Sequence, residues 1–312
     1  MATKFEAFDD SASTVSNPPP SYDATSASAP ADSVLQKRRA TVLSRIREIV
    51  SSPNFDPSSA GSIVNSCAAN LSAAEFSKLL QRPNIEDHTA LYWAIVNNRR
   101  EALWAFIKFI SKFSPACSSE LRLACMAVND HVLFTQLNLS SSMSPKEESL
   151  RRFLGCPPDD IEVKALGDNC FIASFRFRMF QKRLRTAQEL SAEFVAGRRI
   201  WVLRFFLGQE GVWQVEYRLS EHSLPLHPDV SLQIEAHRKS PDCVVPKPLV
   251  LDLQFPSDLL VPKGSPWLYT NDEFCEKITV IWQRLGEWLM DDHSVYVNCH
   301  GILIMTMKIK LK

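Results

Sequence analysis

Two neighbouring stretches decide the fold of the N-terminal half: 84-NIEDHTALYWAIVNNRREALWAFI-107 and 121-LRLACMAVNDHVLF-134. A shift of 30 residues brings their apolar positions into register. The aligned pairs are Leu91 with Leu121, Ala94 with Ala124, Ile95 with Cys125, Leu103 with Leu133, Trp104 with Phe134, and Ile107 with Leu137. This register predicts a helix pair that occurs twice, because stacked repeats place equivalent residues in one continuous core.

The first stretch resembles one ankyrin repeat, a family whose pattern runs loop, T-P-L-H-x-A, short helix, turn and second helix. In this resemblance Thr89 caps the first helix, Leu91 enters the core, and Ala94 lets the paired helix approach closely. Asn98 occupies the turn, where asparagine tolerates a positive φ nearly as well as glycine does. The resemblance implies a stack of repeats that binds other proteins along a concave surface.

The match to the ankyrin pattern is divergent. Asp87 stands at the usual glycine, Ala90 at the usual proline and Tyr92 at the usual histidine. The second stretch lacks the threonine cap and is shorter than a regular unit of about 33 residues. We therefore expect two or three degenerate repeats over about 59–139. A plain irregular helical bundle is the alternative interpretation.

A helical pattern also precedes these stretches. Asp32 or Ser33 can cap a helix that runs to about residue 50, and two shorter helices are predicted at 59–69 and 72–81. Ser72 and Glu75 have the spacing of a reciprocal capping box. The two shorter helices are candidates for a divergent repeat unit. With a polar link at 140–149, the predicted helical domain covers 33–154.

From residue 155 the period of the apolar pattern changes to two, as it does in β-strands. The predicted strands are 161–166, 171–177, 189–196, 200–207, 212–219, 230–238, 249–255 and 294–311. No long helical pattern alternates with them, which favours antiparallel pairing. We predict an α+β chain whose residues 155–312 form an antiparallel β-sandwich. The final lysines, Lys308, Lys310 and Lys312, are interpreted as charges that protect an edge strand.

Two segments of this half are similar to the MATH (meprin and TRAF homology) family. Residues 194–205 (FVAGRRIWVLRF) look like its early strand, and residues 288–302 (WLMDDHSVYVNCHGI) look like its closing strand after a "yl-x-D-D" turn. The segment 240–272, which carries six prolines, has no clear family counterpart. The resemblance implies an eight-stranded sandwich that binds short peptides along a shallow sheet edge.

The first 32 residues differ in composition from the rest of the chain. This acidic tail (1–32) holds one basic and five acidic residues, a net charge of −4, and few branched apolar residues, so we expect it to be disordered. Pro19, Pro20 and Tyr22 form a P-P-x-Y element that resembles the ligand motif of WW domains, including those of HECT-type ubiquitin ligases. A chance occurrence in a proline-rich tail is the alternative.

Composition excludes several classes of protein. The 35 basic and 35 acidic residues balance, which argues against binding to nucleic acid through bulk charge. We expect no transmembrane segment, no signal peptide and a cytoplasmic location. The eight cysteines form no C-x-x-C pair and are expected to be thiols.

No motif for catalysis, cofactor binding or metal binding stands out, so we predict none of the three. Asp291 and Asp292 indicate a turn, His222 and His227 lie in a loop without a third ligand, and the neighbours Cys299 and His300 would diverge on a strand. A basic stretch was also considered as a patch for acidic ligands, with a solvated face as the alternative; it comprises Arg176, Arg178, Lys182, Arg183, Arg185, Arg198 and Arg199.

The sequence therefore favours a protein-interaction adaptor. Its folded domains would hold a client protein, and Pro19, Pro20 and Tyr22 would recruit a WW-domain partner such as a ubiquitin ligase. The alternative is a hydrolase-type enzyme whose site lies unrecognised in the β domain.

Overall fold

The computed structural model describes residues 29–167, 169–238, 246–253, 258–269 and 277–312. The N-terminal half is helical. Its helices are α1 (Ala29–Ser51), α2 (Ala60–Ala68), α3 (Ala73–Leu80), α4 (Ala90–Val96), α5 (Arg100–Ile107), α6 (Pro115–Ala127), α7 (His131–Gln136) and α8 (Pro145–Leu154). Thus α1 begins before the predicted cap at Asp32 or Ser33, and the predicted polar link at 140–149 contains the first half of α8.

The helices form successive pairs that stack in two layers. Helices α1, α4 and α6 pack side by side, and α2, α5 and α7 pack against α1, α4 and α6 respectively. The repeated helix pair predicted from the 30-residue shift is therefore present as α4–α5 and α6–α7. Helix α2 packs on α1 and α5, so the first pair is α1–α2 rather than the predicted 59–69 with 72–81.

The local signals of these pairs act as predicted. Thr89 caps α4, because its hydroxyl accepts a hydrogen bond of 3.1 Å from the Tyr92 N–H. Asn98 and Asn129 end α4 and α6 with φ of 53° and 56°, and the residue after each donates back to a carbonyl of the helix. Leu91 and Leu121, which are aligned by the 30-residue shift, are both fully buried. Trp104 is 39% exposed, whereas Phe134 at the aligned position is buried.

The C-terminal half is built mainly from antiparallel strands. Its elements are β1 (Asp160–Gly167), β2 (Cys170–Phe177), α9 (Phe180–Ala187), β3 (Glu189–Ala196), β4 (Arg199–Leu207), β5 (Trp213–Leu219), β6 (Pro228–Ile234), β7 (Leu249–Asp252), β8 (Leu259–Leu260), β9 (Lys277–Ile278), β10 (Ile281–Arg284) and β11 (Leu303–Leu311). One sheet has the order β1-β2-β11-β6-β7 and a second has the order β10-β5-β4-β3; β8 and β9 form a short parallel pair. The α+β prediction is confirmed.

The two larger sheets enclose a common apolar core. Phe175 on β2 meets Phe194 on β3 edge to face, with ring centroids 5.3 Å apart, and Phe177 meets Phe205 on β4 at 5.6 Å. These contacts arise because alternate residues of each strand point to the same side of a sheet. In β2, which matches the predicted strand 171–177, Phe171, Ala173, Phe175 and Phe177 follow the predicted period of two, and each side chain faces the core.

Three sequence predictions for the C-terminal half are wrong. β11 is a central strand between β2 and β6, so Lys308 and Lys310 project from the outer face of a sheet and do not protect an edge. The predicted strand 294–311 is shorter, because residues before Leu303 form turns. Helix α9 was not predicted; its apolar residues Phe180 and Leu184 are buried against the sandwich.

The helical and β units pack directly against each other. Val195 on β3 and Ile200 on β4 are buried in the core of the helical unit. His131 on α7 joins three elements: its Nδ1 accepts a hydrogen bond of 3.3 Å from the Val195 N–H, and its Nε2 lies 3.2 Å from the Ile161 carbonyl oxygen on β1. This pair of partners requires the neutral ring with its proton on Nε2.

A pH dependence of stability follows from this histidine. Burial lowers the pKa of His131, against smaller opposing effects of the Ile161 carbonyl and Asp130. Because the unfolded chain binds this proton at a higher pH than the folded chain, the free energy of unfolding should fall as pH drops below about 6.5. Between about pH 7.5 and 5.5 the protonation of His131 should lower the free energy of unfolding by roughly 1 kcal/mol. Urea denaturation at both pH values measures this as the difference between the loss of stability in the native chain and the loss in His131→Asn. Equal losses in the two proteins would contradict it.

Candidate functional site

The predicted tail motif lies outside the described part of the structure. Pro19, Pro20 and Tyr22 all precede residue 29, so their interaction with a WW domain stays a prediction.

Within the described part, the 291–293 segment is a turn, as predicted. The Asp291 carboxylate accepts a hydrogen bond of 2.9 Å from the His293 N–H, and Asp292 pairs with Arg185 at 2.7 Å. Both aspartates therefore have structural partners.

A cleft of about 420 Å³ lies where the helical unit meets the outer face of the β3-β4-β5 sheet. Helix α6 and the loop after α7 form one wall, and the sheet and the loop after β5 form the other. Serine hydroxyls and charged groups dominate the lining. The charged and histidine side chains are Arg122, Glu193, Arg218, Glu221 and His222, and the serines are Ser118, Ser119, Ser140, Ser141, Ser142 and Ser220.

The floor of this cleft is an ion pair that joins the two units. Arg122 on α6 donates to both carboxylate oxygens of Glu193 on β3, at 2.6 and 3.1 Å. It also donates to the Leu139 carbonyl and to the Ser220 hydroxyl, each at 2.7 Å, and lies over the Phe134 ring at 5.5 Å. These contacts hold the α6 wall at a fixed position against the sheet.

The Glu193 carboxylate is held by donors of the protein. Its side chain is only 3% exposed, and it accepts a further hydrogen bond of 2.8 Å from the Ser141 N–H. With three donors on its two oxygens, this carboxylate positions the loop and α6. The same holds for Ser220, whose hydroxyl is already a partner of Arg122.

Other groups at the cleft remain available to a ligand. The side chains of Arg218 and His222 form no hydrogen bond or ion pair with the described residues, and the Ser142 hydroxyl oxygen is buried with no partner among them. His222 has a φ of 66°, in the left-handed region, at the rim where the loop after β5 turns. A bound chain that offers both donors and acceptors could satisfy Ser142 and Arg218 together.

The cleft extends in two directions. The loop residues Glu221 and His222 also line a second cavity of about 390 Å³ that reaches residues 262–266. On the sheet, Arg204 bridges Glu189 and Glu216 and lies 4.4 Å from the centre of the Phe206 ring. Trp282 on β10, opposite Glu216 in the register, is 46% exposed.

No hydrogen bond joins His222 to any serine that lines the cleft, all of which the structure describes. Within the described ranges, no group of three His, Cys, Asp or Glu side chains is placed to hold a metal ion. Burial raises the pKa of Cys117 and Cys125 to about 12, so these thiols stay protonated.

The basic stretch considered as a binding patch is divided among other roles. Arg183 is fully buried and donates to Asp159 at 2.7 and 2.9 Å and to Glu147 on α8. Arg178 pairs with Asp160 at 2.7 Å, and Arg199 donates to backbone carbonyls of Gly197 and Leu224. Arg183 therefore takes no part in such a patch, and it instead joins α9 to α8 and to the residue before β1.

Sequence reasoning missed the residues that build the cleft. Arg122 and Glu193 are 71 positions apart, and no motif links them. One signal was present: Glu193 is the one charged residue in the strand segment Leu190 to Ala196, and a charge buried in such a strand needs a partner. The serine run 140–142 was visible too, but it was interpreted as a link.

Comparison of the chain with protein-family models gave no match, and comparison with curated proteins gave none either. Among the helices that the structure describes, none combines the length and the apolar character needed to cross a membrane.

Proposed function

We propose that this chain is a protein-interaction adaptor, in which the interdomain cleft holds an extended segment of a client protein and the acidic tail recruits a WW-domain partner through Pro19, Pro20 and Tyr22. The observation that supports it best is the cleft itself. Its buried charges are already paired, and its free groups are those of a recognition surface: Arg218, Ser142 and the exposed His222.

The resemblances noted in the sequence are compatible with this proposal. A stack of helix pairs and an antiparallel sandwich are the architectures that ankyrin-like and MATH-like domains would supply, and both families bind proteins. A WW-domain ubiquitin ligase would then be one class of enzyme that the adaptor brings to its client. No specific observation in the geometry of the cleft favours the hydrolase alternative.

The recruitment step has a direct test. Beads that carry a WW domain specific for P-P-x-Y ligands should retain the full chain and lose it when Tyr22 is replaced by alanine, because the tyrosine fills the aromatic end of the WW groove. We expect a drop in affinity of at least tenfold, measured by isothermal titration calorimetry, since a lost anchor costs about 1.4 kcal/mol or more.

Tyr296, which lies in the folded domain, provides a matched control. Tyr296→Phe should bind the WW domain as the native chain does. Equal retention of the native chain and Tyr22→Ala would remove the tail from the proposal.

A further inference from the structure

A second groove, of about 320 Å³, lies at the open end of the helical stack. It runs along α1 and reaches Asn70 beyond α2. Val34 and Val42 supply its apolar part: Val34 is 50% exposed, and Val42 is buried. Lys37, Arg38 and Arg45 line it as well, together with Thr41. Helix α1 is the first helix of the stack among the residues that the structure describes, and no further helix pair within that part covers this face.

The positive charge of this α1 groove is not neutralised. Lys37, Arg38 and Arg45 are exposed and form no ion pair with the residues that the structure describes. By contrast, the adjacent Arg39 pairs with Glu75 at 2.7 Å. Three free cations beside an exposed valine suit a ligand that is both acidic and apolar.

The chain carries such a ligand near its own N-terminus. The segment Phe5-Glu6-Ala7-Phe8-Asp9-Asp10 combines three carboxylates with two aromatic side chains. Three cations could face three carboxylates, and a phenylalanine could cover the valines. Each exposed ion pair is worth little alone, about 0–1 kcal/mol, but a tethered segment binds at a high effective concentration.

The connecting segment has a suitable length. Residues 11–28 separate Asp10 from the first residue of α1, a tether of 18 residues. A flexible chain of that length has an r.m.s. span of about 20–25 Å, somewhat more where prolines stiffen it. From Ala29 to Arg45 the helix rises about 24 Å. The effective concentration of a tethered ligand is greatest when tether and span match in this way.

We propose that the acidic segment 5–10 docks in the α1 groove and thereby controls access to the P-P-x-Y element. Pro19, Pro20 and Tyr22 lie within the tether. Docking would fix the chain on both sides of them, at segment 5–10 and at α1, and would make the extended conformation that a WW groove requires less accessible. The control of WW binding rests on the proposed function, whereas the docking itself does not.

The test is a charge exchange in the full-length chain. One variant reverses the tail (Glu6→Lys, Asp9→Lys, Asp10→Lys), one reverses the groove (Lys37→Glu, Arg38→Glu, Arg45→Glu), and a third combines both. Lys308→Glu with Lys310→Glu, exposed on the outer face of β11, is the matched control. Backbone amide NMR signals of residues 5–10 report docking, and titration with a WW domain reports access.

Each chain is compared with a free peptide of residues 1–28 that carries the same tail sequence. In the native chain the signals of residues 5–10 should differ from those of the peptide, and they should match the peptide in either single reversal and on adding salt to the native chain. In the combined variant the signals should again differ from those of its own peptide. WW affinity should rise about two- to tenfold in each single reversal, return in the combined variant, and stay unchanged in the control.

Signals of residues 5–10 that match the free peptide of the same sequence in every chain, the native one included, would overturn docking and would leave the groove to an acidic segment of another protein. Signals that move without any change in WW affinity would overturn the control of access. If the NMR signals show docking but Tyr22→Ala binds the WW domain as tightly as the native chain does, the docking proposal stands and the recruitment step of the proposed function is refuted.

Discussion

Replacing Arg183 with alanine should lower the free energy of unfolding by about 3–5 kcal/mol. The Arg183 guanidinium is fully buried between Glu147, which is 1% exposed, and Asp159, which is 9% exposed. Burial alone would lower the pKa of Arg183, but the two carboxylates outweigh it and keep that pKa raised. Removal of the arginine would leave the buried Glu147 carboxylate without its cationic partner, whereas Asp159 would keep Arg151 at 3.2 Å.

Arg185, two residues further along α9, is the matched control for this measurement. It is 46% exposed and pairs with Asp292 on the surface, so Arg185→Ala should cost less than about 1 kcal/mol. Burial raises the pKa of Glu147, so part of the loss in Arg183→Ala should be recovered by Glu147→Gln, which removes the stranded charge. Urea denaturation gives all three values, and a loss in Arg183→Ala no larger than that in Arg185→Ala would contradict the buried cluster.

Replacing Glu193 with alanine should cost about 3 kcal/mol and disorganise the cleft. Arg122 would keep its hydrogen bonds to the Leu139 carbonyl and to Ser220. It would lose the one carboxylate that it pairs with in the described part of the chain, at an interface where its side chain is 14% exposed. The Ser141 N–H would lose its acceptor as well. Both losses fall at the junction between the helical and β units.

Two further variants make the Glu193 result specific. Glu193→Gln keeps the acceptor oxygen and should cost less than the alanine variant. Glu210→Ala removes an exposed carboxylate that pairs with Arg284, 58% exposed, and should change stability by less than about 1 kcal/mol. If Glu193→Ala proved as mild as Glu210→Ala in urea denaturation, the ion pair would not hold the two units together.

Local features of the fold could be predicted from the sequence because short-range physics decides them. A threonine before an apolar helix caps it, and an asparagine with positive φ ends it; Thr89 and Asn98 do both as expected. The alternation of β2 likewise follows from one strand alone. Each of these signals needs only the residues within a few positions of it.

Long-range features could not be predicted in this way. The order of strands in a sheet depends on which partners bury the same face, so the lysines of β11 gave no sign that the strand is central. Arg183 looked like part of a charged stretch because its partner Glu147 is 36 residues away. The cleft depends on the meeting of α6 with β3 and β4, and its residues carry no common motif.

The most direct measurement of the proposed function is co-capture of two ligands by one chain. A linear peptide is first selected on the full chain from a phage-displayed library. It serves as the client segment if its binding is lost in the cleft variant, which combines Arg218→Glu and Ser142→Trp. Thr306→Trp, on the outer face of the opposite sheet, is the control for selection.

WW-domain beads should then retain this peptide only when the native chain is present. Retention should fail with Tyr22→Ala and with the cleft variant alike, and persist with Thr306→Trp. A peptide that binds outside the cleft, or one that the chain releases on binding the WW domain, would contradict the adaptor function.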